Sequence, residues 1–161
     1  QHPVAGGVVN CPPEGAVAGV DVGAVNGIVE QQGGAGRIAF ADVADANART
    51  QLTGLSPVAD TDETVAYRWS SATGTAYFSV ISRGSGGWQS PYRPRNGYGL
   101  ELNSNATSVT VKRVSNGTVA SLMTVTGEEA RTTAKQWLRL RVVGSTIQFK
   151  IWADGQAEPA A

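Results

Sequence analysis

The sequence predicts an all-β protein, a sandwich of antiparallel sheets, and three observations lead to this prediction. Small and β-branched residues such as glycine, valine and threonine dominate the 161 residues, whereas the strong helix formers lysine and glutamate are few. Short runs of alternating apolar and polar residues recur after Arg37 at spacings of roughly 8–14 residues, as in sandwiches and barrels. Two pairs of runs are joined by two-residue turns of the hairpin type.

The chain divides into a lead segment, residues 1–36, and a sandwich, residues 37–161. The lead segment is rich in glycine, alanine and valine and has no periodic pattern. It is either an arm that packs on another chain or a set of irregular loops with one or two short strands around Ala24–Glu30. We expect the chain to be part of a longer protein, because it begins with Gln1 and reaches Ala161 without a recognisable end to the fold.

Three strands are expected in the first half of the sandwich. Thr64–Ser70 and Tyr98–Asn103 alternate between apolar and polar residues, and Ala76–Ile81 is almost continuously apolar. Residues 84–97 are rich in glycine, serine, proline and arginine, so they predict a long loop before the third strand.

The first hairpin turns at Asn116-Gly117, the preferred pair for a type I′ turn. A two-residue turn fixes the register, which predicts Ser115 opposite Thr118, Arg113 opposite Ala120 and Val111 opposite Leu122. The expected core face comprises Val109, Val111, Ala120 and Leu122, and the opposite face comprises Thr110, Lys112, Ser121 and Met123.

The second hairpin joins Trp137–Val143 to Thr146–Trp152 through Gly144-Ser145, which suits a type II′ turn. The register predicts a core face made of three apolar pairs: Val142 with Ile147, Leu140 with Phe149, and Leu138 with Ile151. The opposite face pairs Arg141 with Gln148, Arg139 with Lys150, and Trp137 with Trp152. Like charges directly opposite one another are destabilising, and cation–π contacts with the tryptophans are the expected compensation.

Composition excludes several functional classes. A single cysteine and a single histidine, Cys11 and His2, cannot form an internal disulfide, a cysteine cage or a multi-histidine zinc site. No apolar run approaches the length of about 18 residues needed for a membrane span. The formal charge is zero, and although residues 61–161 are more basic than residues 1–60, no groove-reading motif indicates nucleic-acid binding.

At this point the strand motifs resemble a known family. The run Trp137–Trp152, followed by Asp154-Gly155 and Glu158-Pro159-Ala160, is similar to the last hairpin of concanavalin A-like (laminin G-like) jelly-roll domains in minor tail proteins of phages that infect actinobacteria. Further similar motifs are Thr64–Ser70, Ala76–Gly84, Asn96–Leu102 and Val109–Val125. The resemblance covers residues 37–161 and is specific for fold rather than for function. The lead segment lacks the aromatic opening of such domains, and the family continues beyond Glu158-Pro159-Ala160 into further strands.

The resemblance implies a non-enzymatic recognition or structural module of a phage tail or virion, one that binds host-surface glycan. Two alternatives stay open: a carbohydrate-binding accessory domain of a secreted actinobacterial protein, and a purely structural virion protein without a ligand. The expected partners are other tail subunits in a homo-oligomer, with a trimer favoured, and no cofactor is expected. An open sheet edge and the lead segment are the surfaces that a neighbouring chain would cover.

Two aromatic and basic regions are candidates for glycan binding, because sugar sites combine an apolar platform with a few polar groups. The favoured region is the predicted loop, whose candidate residues are Arg83, Trp88, Tyr92, Arg93 and Arg95. The second is the outward face of the last hairpin, with Trp137, Arg139, Arg141, Lys150 and Trp152.

Acidic residues offer little catalytic chemistry. Retaining glycosidases need two carboxylates about 5–5.5 Å apart, and no acidic pair has the strand spacing that supplies them. We therefore do not expect an enzyme. Asp60, Asp62 and Glu63 remain a weak candidate for calcium, against the alternative of a solvated acidic turn.

Overall fold

The computed structural model describes residues 20–25, 27–32, 35–40, 47–52, 58–69, 76–90, 93–104, 107–127 and 132–160. These ranges hold eleven strands and no helix, so none of them contains a helix that could cross a membrane. The strands are β1 (Val20–Val25), β2 (Gly27–Gln32), β3 (Ala35–Phe40), β4 (Asn47–Leu52), β5 (Thr61–Tyr67), β6 (Tyr77–Ser90), β7 (Arg93–Asn103), β8 (Ser108–Ser115), β9 (Thr118–Thr126), β10 (Gln136–Val143) and β11 (Thr146–Ala153).

The chain forms two compact units. The first comprises residues 1–57 and 88–93, and the second comprises residues 58–87 and 94–161. In the first unit β1 pairs with β4 and β2 pairs with β3, all antiparallel. Strands β1 and β2 lie where the sequence allowed short strands in the lead segment, whereas residues 1–19 lie outside the described part of the chain.

The second unit contains the predicted sandwich. One antiparallel sheet has the strand order β11-β10-β5, and the other has the order β6-β7-β8-β9. The two sheets pack face to face, which confirms the all-β sandwich and is compatible with a jelly roll.

The core lies between these two sheets. Side chains on β10 and β7 are almost completely buried, with Leu138 and Leu140 at 0% exposure and Leu100 at 1%. The register of the second hairpin is the predicted one, since Val142 pairs with Ile147 and the outward residues pair as expected. Alternation therefore placed this core face correctly.

The first hairpin departs from its predicted register halfway along. The turn is type I′ as expected, with positive φ at Asn116 (50°) and Gly117 (83°), and Arg113 lies opposite Ala120. A β-bulge then follows, so that Val111 pairs with Met123 instead of Leu122. The predicted pairing of Val111 and the core position of Leu122 are wrong. The extra residue in β9 shifts the register of all later pairs in this hairpin by one residue.

The predicted loop at residues 84–97 is also wrong, because strands occupy most of it. Strand β6 continues to Ser90, and β7 begins at Arg93. The glycines allow close approach between these strands: a Cβ on Gly97 would lie 2.8 Å from Cγ2 of Ile81, and one on Gly99 would lie 2.6 Å from the carbonyl oxygen of Val80. Glycine serves tight strand packing at positions 97 and 99, although a glycine-rich stretch is typical of a loop in sequence.

Candidate functional site

The outward surface of the three-stranded sheet combines the aromatic and charged residues of the last hairpin. Strands β10 and β11 pair Trp137 with Trp152 and Arg139 with Lys150, as predicted, and β5 adds Asp62 opposite Arg141. We call this surface the outer face; it comprises Asp62, Trp137, Arg139, Arg141, Gln148, Lys150 and Trp152.

The two tryptophans form an aromatic pair at one end of the outer face. Their ring centroids lie 6.4 Å apart and the ring planes differ by only 16°. The indole Nε1 of Trp137 donates a hydrogen bond of 2.7 Å to Asp154 Oδ1, and Lys135 Nζ lies 4.7 Å from the Trp137 ring centroid. Both indoles are half-buried, so each is held by the fold and still presents surface to solvent.

Arg139 is the hub of the charged part. Its guanidinium donates two hydrogen bonds of 2.6 Å to the carboxylate of Asp62 and bonds of 2.8 and 3.1 Å to that of Glu158. Lys150 Nζ donates to Glu158 at 3.0 Å and to the Pro159 carbonyl at 2.7 Å. Carboxylates thus offset the repulsion between Arg139 and Lys150, whereas the cation over the Trp137 ring is Lys135.

The pKa values reflect this charge pairing. The Arg139 hydrogen bonds lower the pKa of Asp62, and those from Lys150 and Arg139 lower the pKa of Glu158. The pKa of Asp154 is lowered mainly by the Trp137 indole and then by Lys135. All three carboxylates are therefore ionised at neutral pH and nearly balance the four cationic side chains nearby, which are Lys135, Arg139, Arg141 and Lys150.

Arg141 is the least constrained of these cations. Its side chain is 50% exposed, and its contacts are a 3.3 Å hydrogen bond to Gln148 and a 3.9 Å approach to Asp62. These long contacts leave its donors accessible to a ligand on the outer face.

The structure does not gather the candidate residues of the predicted glycine-rich loop into one described site. Arg83 bonds to the Gly144 and Val142 carbonyls and to Asp60, and Arg95 Nε donates 2.8 Å to Asn116 Oδ1. Both arginines therefore tie hairpin turns to neighbouring strands. Trp88 and Arg93 belong to the first compact unit, and Tyr92 lies outside the described residues.

Arg83 also borders a small pocket in the second unit. The pocket has a volume of about 110 Å³ and is lined by Tyr98, Val142, Gly144 and Ile147 among others. Arg83 Nε is buried there, and no hydrogen-bond partner for it is found within the described part of the chain. The pocket is too small for more than a fragment of a ligand.

The three acidic residues considered for calcium, Asp60, Asp62 and Glu63, each bind a different partner. Asp60 accepts hydrogen bonds from Arg83 and from the Gly144 amide, whereas Asp62 binds Arg139. Glu63 points inward and accepts 2.8 Å from the Ser82 hydroxyl, and burial raises the pKa of its carboxyl. Within the described residues, no three histidine, cysteine, aspartate or glutamate side chains come together to hold a metal ion.

Sequence reasoning missed Lys135, Asp154 and Glu158 as part of the outer face. They lie before and after the last hairpin, where strand alternation does not apply. The excess of cations on the last hairpin was a usable signal, because clustered cations favour carboxylates nearby.

Comparisons with models of protein families, with curated proteins and with solved structures find no match to this chain.

Proposed function

We propose that this chain is a non-enzymatic recognition module of a phage tail or virion that binds a host-surface glycan through the outer face. The observation that carries the glycan assignment is the Trp137–Trp152 pair beside a dense set of charged donors and acceptors. Aromatic rings cover the apolar faces of pyranose rings, and placed polar groups bind hydroxyls. The particle context, with other tail subunits as partners, rests on the resemblance of the strand motifs.

The charge balance favours a neutral, hydroxyl-rich glycan over an acidic one. Arg139 and Lys150 are already bonded to Asp62 and Glu158, so an anionic sugar would have to displace a carboxylate. A hydroxyl can donate to these carboxylates and accept from the exposed Arg141 without breaking an ion pair. The same balance argues against nucleic acid, which needs uncompensated basic groups.

The test titrates the full chain with gluco-, galacto- and manno-oligosaccharides and with uronic-acid oligosaccharides, following tryptophan fluorescence and calorimetric heat. We expect saturable binding of at least one neutral oligosaccharide. Trp152→Ala should weaken that binding at least tenfold, which corresponds to about 1.4 kcal/mol. Trp152→Phe should retain part of the affinity, because a ring face remains.

The matched control is Tyr77→Ala, which removes another exposed aromatic ring (59%) from β6 of the other sheet. This variant should bind as the wild type does. If no saccharide binds, or if Trp152→Ala binds normally while retaining the wild-type circular dichroism spectrum, the outer face is not a glycan site.

A further inference from the structure

Strand β9 is one of the two edge strands of the four-stranded sheet, and no other described strand pairs with its outer side. It pairs with β8 on one side and is the last strand in the order β6-β7-β8-β9. Two large apolar side chains on it are exposed to solvent, Leu122 at 49% and Met123 at 53%. A free edge with exposed apolar groups is a template for pairing with another strand.

The two sheets of the sandwich differ in size, three strands against four, and β9 lies at the end of the larger sheet. Contacts across the core set β5 against β6: Ser82 donates to Glu63, and the Tyr67 and Phe78 rings stack with centroids 5.6 Å apart. Moving across the sandwich from that side, β10 faces β7 and β11 faces β8, so that no described strand of the smaller sheet lies over β9. Burial agrees, since Val109 on β8 is 0% exposed whereas Leu122 and Met123 on β9 are about half exposed.

Composition sets β9 apart from the other strands. Among the eleven strands that the structure describes, it alone carries no charged side chain, and it contains no proline. Natural proteins protect edge strands with charged residues, proline or a β-bulge, and of these devices β9 has only the bulge at Leu122. A long neutral edge is compatible with pairing and gives no electrostatic preference for a charged partner.

The order of residues in β9 is compatible with pairing to a second copy of the same strand. The strand reads Thr-Val-Ala-Ser-Leu-Met-Thr-Val-Thr, and its two outer residues at each end are the same when it is reversed about Leu122. The inner positions differ, so that Ala120 would face Thr124 of the partner subunit and Ser121 would face Met123 of the partner subunit. In an antiparallel pair of two copies centred on Leu122, Thr118 lies opposite Thr126 of the partner subunit and Val119 opposite Val125 of the partner subunit. Such threonine and β-branched pairs are favourable, and no like charges meet.

We propose that β9 is a homodimer interface, in which two copies of this chain join their four-stranded sheets edge to edge through an antiparallel β9–β9 pair. The two-fold axis passes near Leu122, the residue that the β-bulge leaves outside the pairing with β8. The pair makes one continuous sheet across two sandwiches, and the exposed Leu122 and Met123 become covered. A two-fold contact is self-complementary and closed, so it does not extend into a filament by itself.

The first test measures the mass of the full chain by sedimentation equilibrium at concentrations up to about 1 mM, which covers the weak end of the affinity scale. We expect a reversible monomer–dimer equilibrium. Leu122→Glu should abolish the dimer, because the substitution opposes two carboxylates at the axis. Val58→Glu, at another exposed apolar residue (60%), should leave the dimer unchanged.

The second test fixes the register by disulfide formation in a Cys11→Ser background. Leu122→Cys should cross-link rapidly, because opposed residues on paired strands have Cβ atoms about 4.5–5.5 Å apart. Val119→Cys should not, because it lies six residues from its own copy, about 20 Å at roughly 3.3 Å per residue. A strictly monomeric chain, a trimer, a dimer that survives Leu122→Glu, or equal cross-linking of both thiols would overturn the proposal.

Discussion

Replacing Gly99 with alanine tests how closely the strands of the four-stranded sheet approach one another. A Cβ at this position would lie 2.6 Å from the carbonyl oxygen of Val80 and 3.1 Å from Cγ1 of Ile81. Ordinary contact begins at 3.4 Å, so the Val80 oxygen would have to withdraw by about 0.8 Å. Strand spacing is fixed at about 4.7–4.9 Å by the hydrogen-bond ladder, so this movement strains the pairing of β6 with β7.

The expected cost follows from two opposing effects. Overpacking of this kind costs about 1–3 kcal/mol. Removing a glycine restricts the unfolded chain and returns about 0.4–1 kcal/mol. The net loss of about 1–2 kcal/mol corresponds to a decrease in Tm of about 2–8 °C for a chain of this size.

The assay is urea unfolding followed by tryptophan fluorescence, with the slope of each transition compared to confirm a common unfolded state. Gly84→Ala is the matched control, because its nearest atom is Pro94 Cγ at an ordinary 3.6 Å. That variant should be as stable as the wild type or slightly more stable. If Gly99→Ala were no less stable than Gly84→Ala, the tight packing inferred for residue 99 would be refuted.

Two further substitutions test the half-buried carboxyl of Glu63 and the turn of the first hairpin. Burial raises the pKa of Glu63 above its ordinary value of 4.5, so its stabilising contribution is full at low pH and is lost as the pH rises through the folded-state pKa. Glu63→Gln keeps an acceptor for Ser82 and should raise Tm by about 2–4 °C at pH 7 and not at pH 3, as measured by differential scanning calorimetry. Asn116→Ala must place alanine at a φ of 50° and removes the acceptor for Arg95. Thermal melts should show a loss of about 1–2 kcal/mol relative to the exposed-site control Ser115→Ala, and an equal Tm for the two variants would contradict the turn assignment.

The second hairpin was fully predictable from sequence. Its two-residue turn sets the register, and alternation assigns Leu138, Leu140 and Val142 to the core and Arg139 to the opposite face. These are local properties, because each depends on residues close together in the chain. The all-β class and the type I′ turn at Asn116 were predicted for the same reason.

The tertiary structure decided what depends on contacts between distant segments. The bulge at Leu122 and the extension of β6 and β7 through the glycine-rich stretch arise because neighbouring strands impose their spacing on residues that could also form loops. Asp62 lies 77 positions before Arg139 in the chain, yet its carboxylate neutralises that guanidinium, and nothing in the local pattern of either strand specifies the pairing. The sequence by itself determined the all-β class and the two faces of the second hairpin, because these depend on local alternation and turn chemistry. Contacts between strands determined how far β6 and β7 extend, where β9 bulges and which charges meet.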